Sequence, residues 1–165
     1  MTLLRTRGAA FLTLLVFWLL LNGSLAGDVV MVGVVAALAI VLLFKDGLAM
    51  VSAFRFTPRA LAAAPMFLGY FLKELVKSNL RLAVIVLSPA LPLTPGIVKV
   101  RTRLQSPMGR LLLANSITLT PGTLTVELAG EWLYIHWVTM ESPEVEAATA
   151  SIVAGFERYL EVMYG

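Results

Sequence analysis

The first forty-odd positions carry almost no polar punctuation. From Gly8 to Leu21, and again from Val29 to Phe44, apolar residues follow one another without a polar face. A helix that is apolar all round is buried in protein or lies in lipid. Between the runs, Asn22-Gly23-Ser24-Leu25-Ala26-Gly27-Asp28 reads as a turn, so residues 1–48 are expected to form a transmembrane helical hairpin. Each run falls slightly short of the ~20 residues that span a hydrocarbon core, a deficit that flanking residues and local thinning make up. A competing reading takes Arg5, Arg7 and the first run as a signal peptide cleaved near Ser24-Leu25-Ala26. The second run argues against it, because cleavage would leave a chain opening on another apolar segment.

The pattern then becomes amphipathic. Thr57-Pro58 has the form of a helix start, with a capping hydroxyl and Pro at the first position, and Pro65 is a point where the helix restarts or kinks. Over 66–87 apolar residues recur at helical spacing, while Lys73, Lys77 and Arg81 fall at i, i+4 and i+8 on one face, with Glu74 three residues before Lys77. Charges at mid-length make a lipid-exposed span costly. We read 57–88 as an amphipathic helix on the membrane surface, with Lys73, Lys77 and Arg81 at that surface. Were it to cross, everything after it would lie on the opposite side.

Pro89, Pro92 and Pro95 mark a stiff linker over 89–96. Beyond it the period drops to two. Ile97 to Leu104 alternates, with Lys99, Arg101 and Arg103 on one face, as in a half-buried strand. Ser106-Pro107 caps a helix running to about Asn115. Leu124, Val126 and Leu128 alternate with Thr125 and Glu127 in a second strand, and Gly130-Glu131 turns. Trp132 to Met140 is apolar on both faces and therefore central. Ser142-Pro143-Glu144 opens a last helix, with Val145, Thr149, Ile152, Val153, Phe156, Tyr159, Leu160 and Met163 as its buried stripe. The expected fold class is a membrane α-helical hairpin plus amphipathic helix, followed by a small α+β domain over 97–165 (β-α-β-β-α, ferredoxin-like).

Composition agrees with a membrane chain. Of 165 residues, 59% are hydrophobic and 14% charged, against roughly 25% charged in soluble domains; the mean hydropathy is +0.87. Charge is segregated: residues 45–110 carry ten Lys/Arg and two acids, whereas 111–165 carry seven Glu and one Arg. The net charge of +3 conceals this, and the basic middle suits a lipid surface better than nucleic acid, which is not an expected partner. Arg5 and Arg7 precede the first run and Lys45, Arg55 and Arg59 follow the second, so the positive-inside rule puts both ends of the hairpin, and the C-terminal domain, in the cytoplasm.

Catalytic chemistry is poorly supplied. There is no cysteine, and one histidine, His136, lies inside a strand. A proton relay there is weighed against a sheet or interface histidine, and we take the second. No nucleophile–base pair, glycine-rich phosphate loop, cofactor set or metal set is evident, and the chain is not read as an enzyme. Asp28, Asp46 and Glu74 are the acids in or near the apolar region, too few for an ion path through this chain alone. The segment Ala114-Asn115-Ser116-Ile117-Thr118-Leu119-Thr120-Pro121-Gly122-Thr123 concentrates hydroxyls beside a Pro-Gly pair. Those hydroxyls could contact a cation or phosphate; we read them instead as bonding nearby backbone around a type II turn. Asn115, Ser116, Thr118, Thr120, Pro121, Gly122, Thr123 and His136 are accordingly expected to be structural or interface residues.

Leu113 to Thr123, followed by Leu133-Tyr134-Ile135-His136-Trp137, strongly resembles the E-type subunit of the Mrp/Mnh-type multisubunit Na+/H+ antiporter. The hairpin, the Lys73-Glu74-Leu75 helix and the length also fit, so the resemblance covers nearly the whole chain. It implies an accessory subunit in a bacterial or archaeal cell membrane, multi-pass, partnered by the other membrane subunits and the bilayer. The assembly would export sodium against proton entry, with the ion path in its larger subunits. An alternative is a free-standing membrane-anchored adaptor or regulator whose cytoplasmic domain binds a partner.

Overall fold

A computed structural model describes residues 2–44 and 53–165. They divide into two compact units, Met1–Phe54 and Arg55–Gly165.

The first unit is a helical hairpin. Helix α1 spans Thr2–Asn22 and α2 spans Gly27–Leu43, so both start earlier than the apolar runs suggest and the connection shrinks to 23–26. Gly23 takes φ +59° there, a left-handed value that glycine adopts without steric cost. The two helices meet through small residues: Gly33, Ala37 and Val41 are the buried positions of α2, spaced four apart on one face. Ala10 and Val41 form a buried pair with Phe11 and Leu14 packed around it. Trp18 lies against Gly33, where a Cβ would overlap its indole, and the indole Nε1 donates to the Val29 carbonyl at 3.0 Å. Small residues that let backbones approach are the usual means of helix association where no hydrophobic drive operates between helices. Among the described residues no helix is long and apolar enough to cross a membrane. The last hairpin positions expected, 45–48, lie outside the described residues.

The second unit opens with α3, Pro58–Leu87, a continuous helix of 30 residues. Thr57 caps it, its hydroxyl accepting from the Ala60 N–H at 3.2 Å. Pro65 sits inside α3 without ending it, so the expected restart near 66 does not occur. Strand β1 is Gly96–Arg101, α4 is Pro107–Leu119, β2 is Thr123–Ala129 and β3 is Trp132–Trp137. The last helix is two helices rather than one: α5, Val145–Ile152, and α6, Ala154–Tyr164. The strands form an antiparallel sheet in the order β1-β3-β2, with β3 central as its double-sided apolar composition requires. The described residues supply no fourth strand, so the class is a three-stranded α+β layer; the ferredoxin-like pattern has one strand more.

Helices cover one face of the sheet. Val98, Val100, Leu133 and Ile135 of the sheet are buried, as are Leu104, Leu113, Ile117, Val153 and Leu160 from the helices and loops that cover it. Two expectations change here. β1 ends at Arg101, so Arg103 lies beyond the strand instead of extending its basic face. In β2 the apolar residues Leu124 and Val126 are exposed, while Thr125 is half-buried with its hydroxyl on the Ala114 carbonyl; a bulge between Thr125 and Glu127 shifts the register. The 89–96 segment is pinned to the sheet: the Thr94 N–H donates to the Val138 carbonyl and the Met140 N–H to the Thr94 carbonyl. The unit is closed at its ends by a hydrogen bond from the Arg55 N–H to the Met163 carbonyl, 2.8 Å.

Candidate functional site

The threonine-rich segment forms the joint between α4 and β2. α4 does not stop at Asn115 but continues to Leu119, so Ser116 and Thr118 are helical. The Ser116 hydroxyl donates to the Leu112 carbonyl at 2.7 Å and the Thr120 hydroxyl to the Ser116 carbonyl at 2.8 Å, the back-bonding that serine and threonine make in helices. The Thr123 hydroxyl reaches the Ile117 carbonyl at 2.6 Å and the Thr120 carbonyl at 2.9 Å. Thr118 works across the joint, its hydroxyl accepting from the Thr125 N–H at 3.1 Å. Between them, Thr120-Pro121-Gly122-Thr123 makes a tight turn closed by the Thr123 N–H on the Thr120 carbonyl. Gly122 has φ +94°, the left-handed third position that a type II turn demands. The Thr120 and Thr123 hydroxyls thus add a second bond to carbonyls of the last helical turn and the loop that the backbone already engages. Asn115 is exposed and outside this network.

That turn forms one wall of a cleft of about 200 Å³, bounded opposite by α3. From the turn come Thr120, Pro121, Gly122 and Thr123; from α3 come Tyr70, Glu74, Lys77, Ser78 and Arg81; Trp137, Thr139, Glu141 and Ser151 complete it. The amphipathic pattern of α3 explains the placement, because residues 70, 74, 77, 78 and 81 fall on one helical face. Arg81 Nη1 bonds Glu141 Oε1 at 2.6 Å across the cleft, and Lys77 Nζ stands 3.6 Å from Glu74 Oε2. Tyr70 is held protonated, its phenol raised first by burial and then by the Glu74 carboxylate, with Arg158 opposing. The structure therefore unites two groups that the sequence keeps apart: the turn residues 120–123 and the basic residues Lys77 and Arg81. Asn115, Ser116, Thr118, Lys73 and His136 do not line the cleft.

At the floor of the cleft and beyond it, α3 packs on α6 through rings. Tyr70 meets Phe156 edge-on at 5.1 Å and Tyr159 at 5.7 Å, and Phe67 meets Phe156 at 6.3 Å. A Cβ at Gly155 would overlap the Tyr70 hydroxyl, so this crossing requires glycine. On its outward side α3 presents an exposed apolar row, Leu61, Leu68, Leu72, Val76, Leu80, Val84 and Leu87.

The sheet's second face is open. His136 lies there in register with Ile97 on β1 and Leu124 on β2, which are 64% and 49% exposed. Lys99 Nζ stacks 4.0 Å over the Trp132 ring, and Arg101 bonds Glu131 at 2.9 Å. Arg103 instead turns to α6, 3.5 Å from Glu157 and 3.4 Å from Glu161. Glu157 is 3% exposed and accepts from the Thr102 hydroxyl and the Arg103 N–H. Glu157's position between Phe156 and Leu160 on the buried stripe is the sequence signal that this glutamate is internal.

Among the described residues no group of acids, cysteine or histidine is placed to hold a metal. The cleft can exchange ion-pair partners at its rim, and the joint offers backbone-saturated hydroxyls; neither assembles a nucleophile with a base.

A family model described as Na+/H+ ion antiporter subunit matches residues 11–163. The chain belongs to that family. The E-type subunit of the Na+/H+ antiporter of Alkalihalophilus pseudofirmus is 32% identical over 147 residues, covering 89% of this chain and 90% of the relative. The E1-type subunit of the Na+/H+ antiporter of Staphylococcus haemolyticus is 32% identical over 131 residues, covering 78% and 80%. Among solved structures, a chain of an archaeal respiratory membrane complex, the membrane-bound sulfane sulfur reductase, superposes with a TM-score of 0.75 at 35% identity, covering 95% of this chain and 98% of that one. The resemblance carried by Leu113–Thr123 and Leu133–Trp137 is therefore to this same family, and such chains act with the other subunits of multisubunit membrane complexes.

Proposed function

We propose that the chain is an accessory subunit of a multisubunit cation/proton antiporter, exporting Na+ against H+ entry, and that it serves assembly or stability instead of carrying the ion path. The observation that carries this reading is the bonding of the threonine-rich joint. Ser116, Thr120 and Thr123 donate their protons to carbonyls of their own segment, tying the end of α4 to the turn as a structural joint does. In the same reading the α1–α2 hairpin sits in the membrane of a bacterial or archaeal cell, its exposed apolar surface covered by lipid and neighbouring subunits. Its helices, of 21 and 17 residues, are accommodated by local thinning and flanking residues. α3 lies on the cytoplasmic membrane surface with its apolar row inward and Lys73, Lys77 and Arg81 at the headgroups. The α+β domain is cytoplasmic, and His136 and the open sheet face meet a neighbouring subunit.

The experiment is purification of the tagged full chain from its native membrane in mild detergent, with transport measured in inverted vesicles. Several very apolar proteins are expected to co-purify, and deletion is expected to lower Na+-dependent proton exchange. A lone monomer with transport indifferent to its deletion would sink the proposal. Pro121→Ala with Gly122→Val is expected to disrupt assembly, because the turn needs the left-handed Gly122. If Thr118→Ala abolished transport with assembly intact, an ion-contact role would replace the structural one. A second reading, a subunit of a respiratory membrane complex, is favoured by the match to the sulfane sulfur reductase chain; redox enzymes among the co-purifying proteins would select it.

A further inference from the structure

The cleft between α3 and the Thr120–Thr123 turn has features that a purely structural joint does not need. Its α3 wall carries two cations, Lys77 and Arg81, each paired with a carboxylate of the same cleft, Glu74 and Glu141. Lys77 is 69% exposed, and its carboxylate partner is 3.6 Å away, while Arg81 and Glu141 pair with both side chains about half exposed. Exposed ion pairs of this kind are weak and open to exchange. The hydroxyls of Thr139 and Ser151 line the same cleft. Each of its two cations also borders apolar surface, since Leu80 follows Lys77 by three residues and Val84 follows Arg81 by three, and both are exposed members of the apolar row.

We propose that this cleft binds the phosphodiester of an anionic membrane lipid. Arg81 and Lys77 are its cationic contacts, the phosphate replacing Glu141 on the guanidinium, whose fork of donors matches phosphate oxygens. At about 200 Å³ the cleft is smaller than the roughly 300–1,000 Å³ of pockets that enclose a whole drug-sized ligand. It accommodates a headgroup, with the acyl chains running outside along Val76, Leu80 and Val84. A free phosphate shares the headgroup's charge but gains nothing from that apolar row, which is why the lipid is assigned. The assignment rests on the reading of α3 as a membrane-surface helix.

The test uses the full chain in dodecyl maltoside, titrated with dihexanoylphosphatidylglycerol below its own micelle concentration, with binding followed by ³¹P line broadening. Saturable binding is expected. Lys77→Gln and Arg81→Gln should each weaken it about tenfold, the loss of one charge-assisted hydrogen bond. Arg59→Gln, on the same helix but remote from the cleft, should leave it unchanged. If Arg81→Gln disturbs the fold by circular dichroism, Lys77→Gln carries the test. Non-saturating binding, or equal weakening by Arg59→Gln, overturns the site in favour of diffuse attraction; inorganic phosphate binding as tightly as the lipid overturns the lipid assignment. The bilayer depth of a spin label at Leu72→Cys in the full chain reconstituted into phosphatidylglycerol vesicles tests the placement of α3 separately, so a water-exposed label with ³¹P binding intact would strike only that placement.

Discussion

The hairpin and the α+β unit are both apolar, yet they bury different things. The hairpin's buried positions are Ala10, Gly33, Ala37 and Val41, and apart from Phe11, Leu14 and Trp18, which pack between the helices, large side chains such as Leu12, Phe17, Leu42 and Phe44 are exposed. The α+β unit does the reverse, enclosing Leu104, Leu113, Ile117, Leu133, Ile135 and Leu160 completely. Desolvation of large aliphatic side chains stabilises the second unit. Close approach of backbones, with one indole–carbonyl hydrogen bond, joins the helices of the first. Hydropathy alone does not separate these two organisations; the size of the buried residue does.

The largest contrast should come from truncating a large side chain in each. Leu133→Ala is expected to destabilise the α+β unit by about 2–5 kcal/mol, read from denaturant unfolding followed by tryptophan fluorescence. Leu20→Ala, at a position 77% exposed in the hairpin, should leave the α1–α2 packing unchanged. Comparable losses at both positions would erase the distinction.

Enlarging a glycine should give a smaller effect, alike in both units because each relies on one close crossing. Gly155→Val drives a side chain into Tyr70 and Gly33→Val drives one into Trp18, and overpacking of this kind costs about 1–3 kcal/mol. Proteolytic release of α3 should report the first and loss of cross-hairpin cysteine crosslinks the second. Tyr70→Ala should restore protection in the Gly155→Val background; failure to do so would mean that the clash is not what separates the helices. The smallest change belongs to single hydroxyls. Thr123→Ala removes two hydrogen bonds and is expected to cost about 1 kcal/mol, with Thr118→Ala, which removes one, costing less; the reverse order in thermal melts would make Thr118 the principal tie across the joint.

What was legible in the sequence was local. Thr57 and Ser106 announce their helices because a cap acts over three residues, and both accept the expected amide. Gly122 and Gly130 were legible because their backbone angles exclude other residues. Long-range satisfaction was not. Glu157 is internal only because Thr102 and the Arg103 amide, more than fifty residues away, supply its donors. α4 runs four residues beyond Asn115 because its hydroxyls bond back to their own helix and to β2, a tertiary arrangement that propensity undervalues. A bulge between Thr125 and Glu127 shifts the register of β2, which a two-residue period cannot show. The cleft was half legible: both walls were singled out as separate motifs, and Glu141, sixty residues from Arg81, had no local signature.

The hydrogen bond from Arg55 to Met163 ties the beginning of the α+β unit to α6, and it sets an order on the chain's birth. α3 leaves the ribosome early, but the surface that covers its aromatic face belongs to α6, roughly 75 residues later. At ~5–20 residues per second of synthesis, α3 spends on the order of 4–15 seconds without that cover. During that interval both its faces are bare, so whatever receives the nascent chain meets a helix with two apolar sides and must surrender one of them to α6.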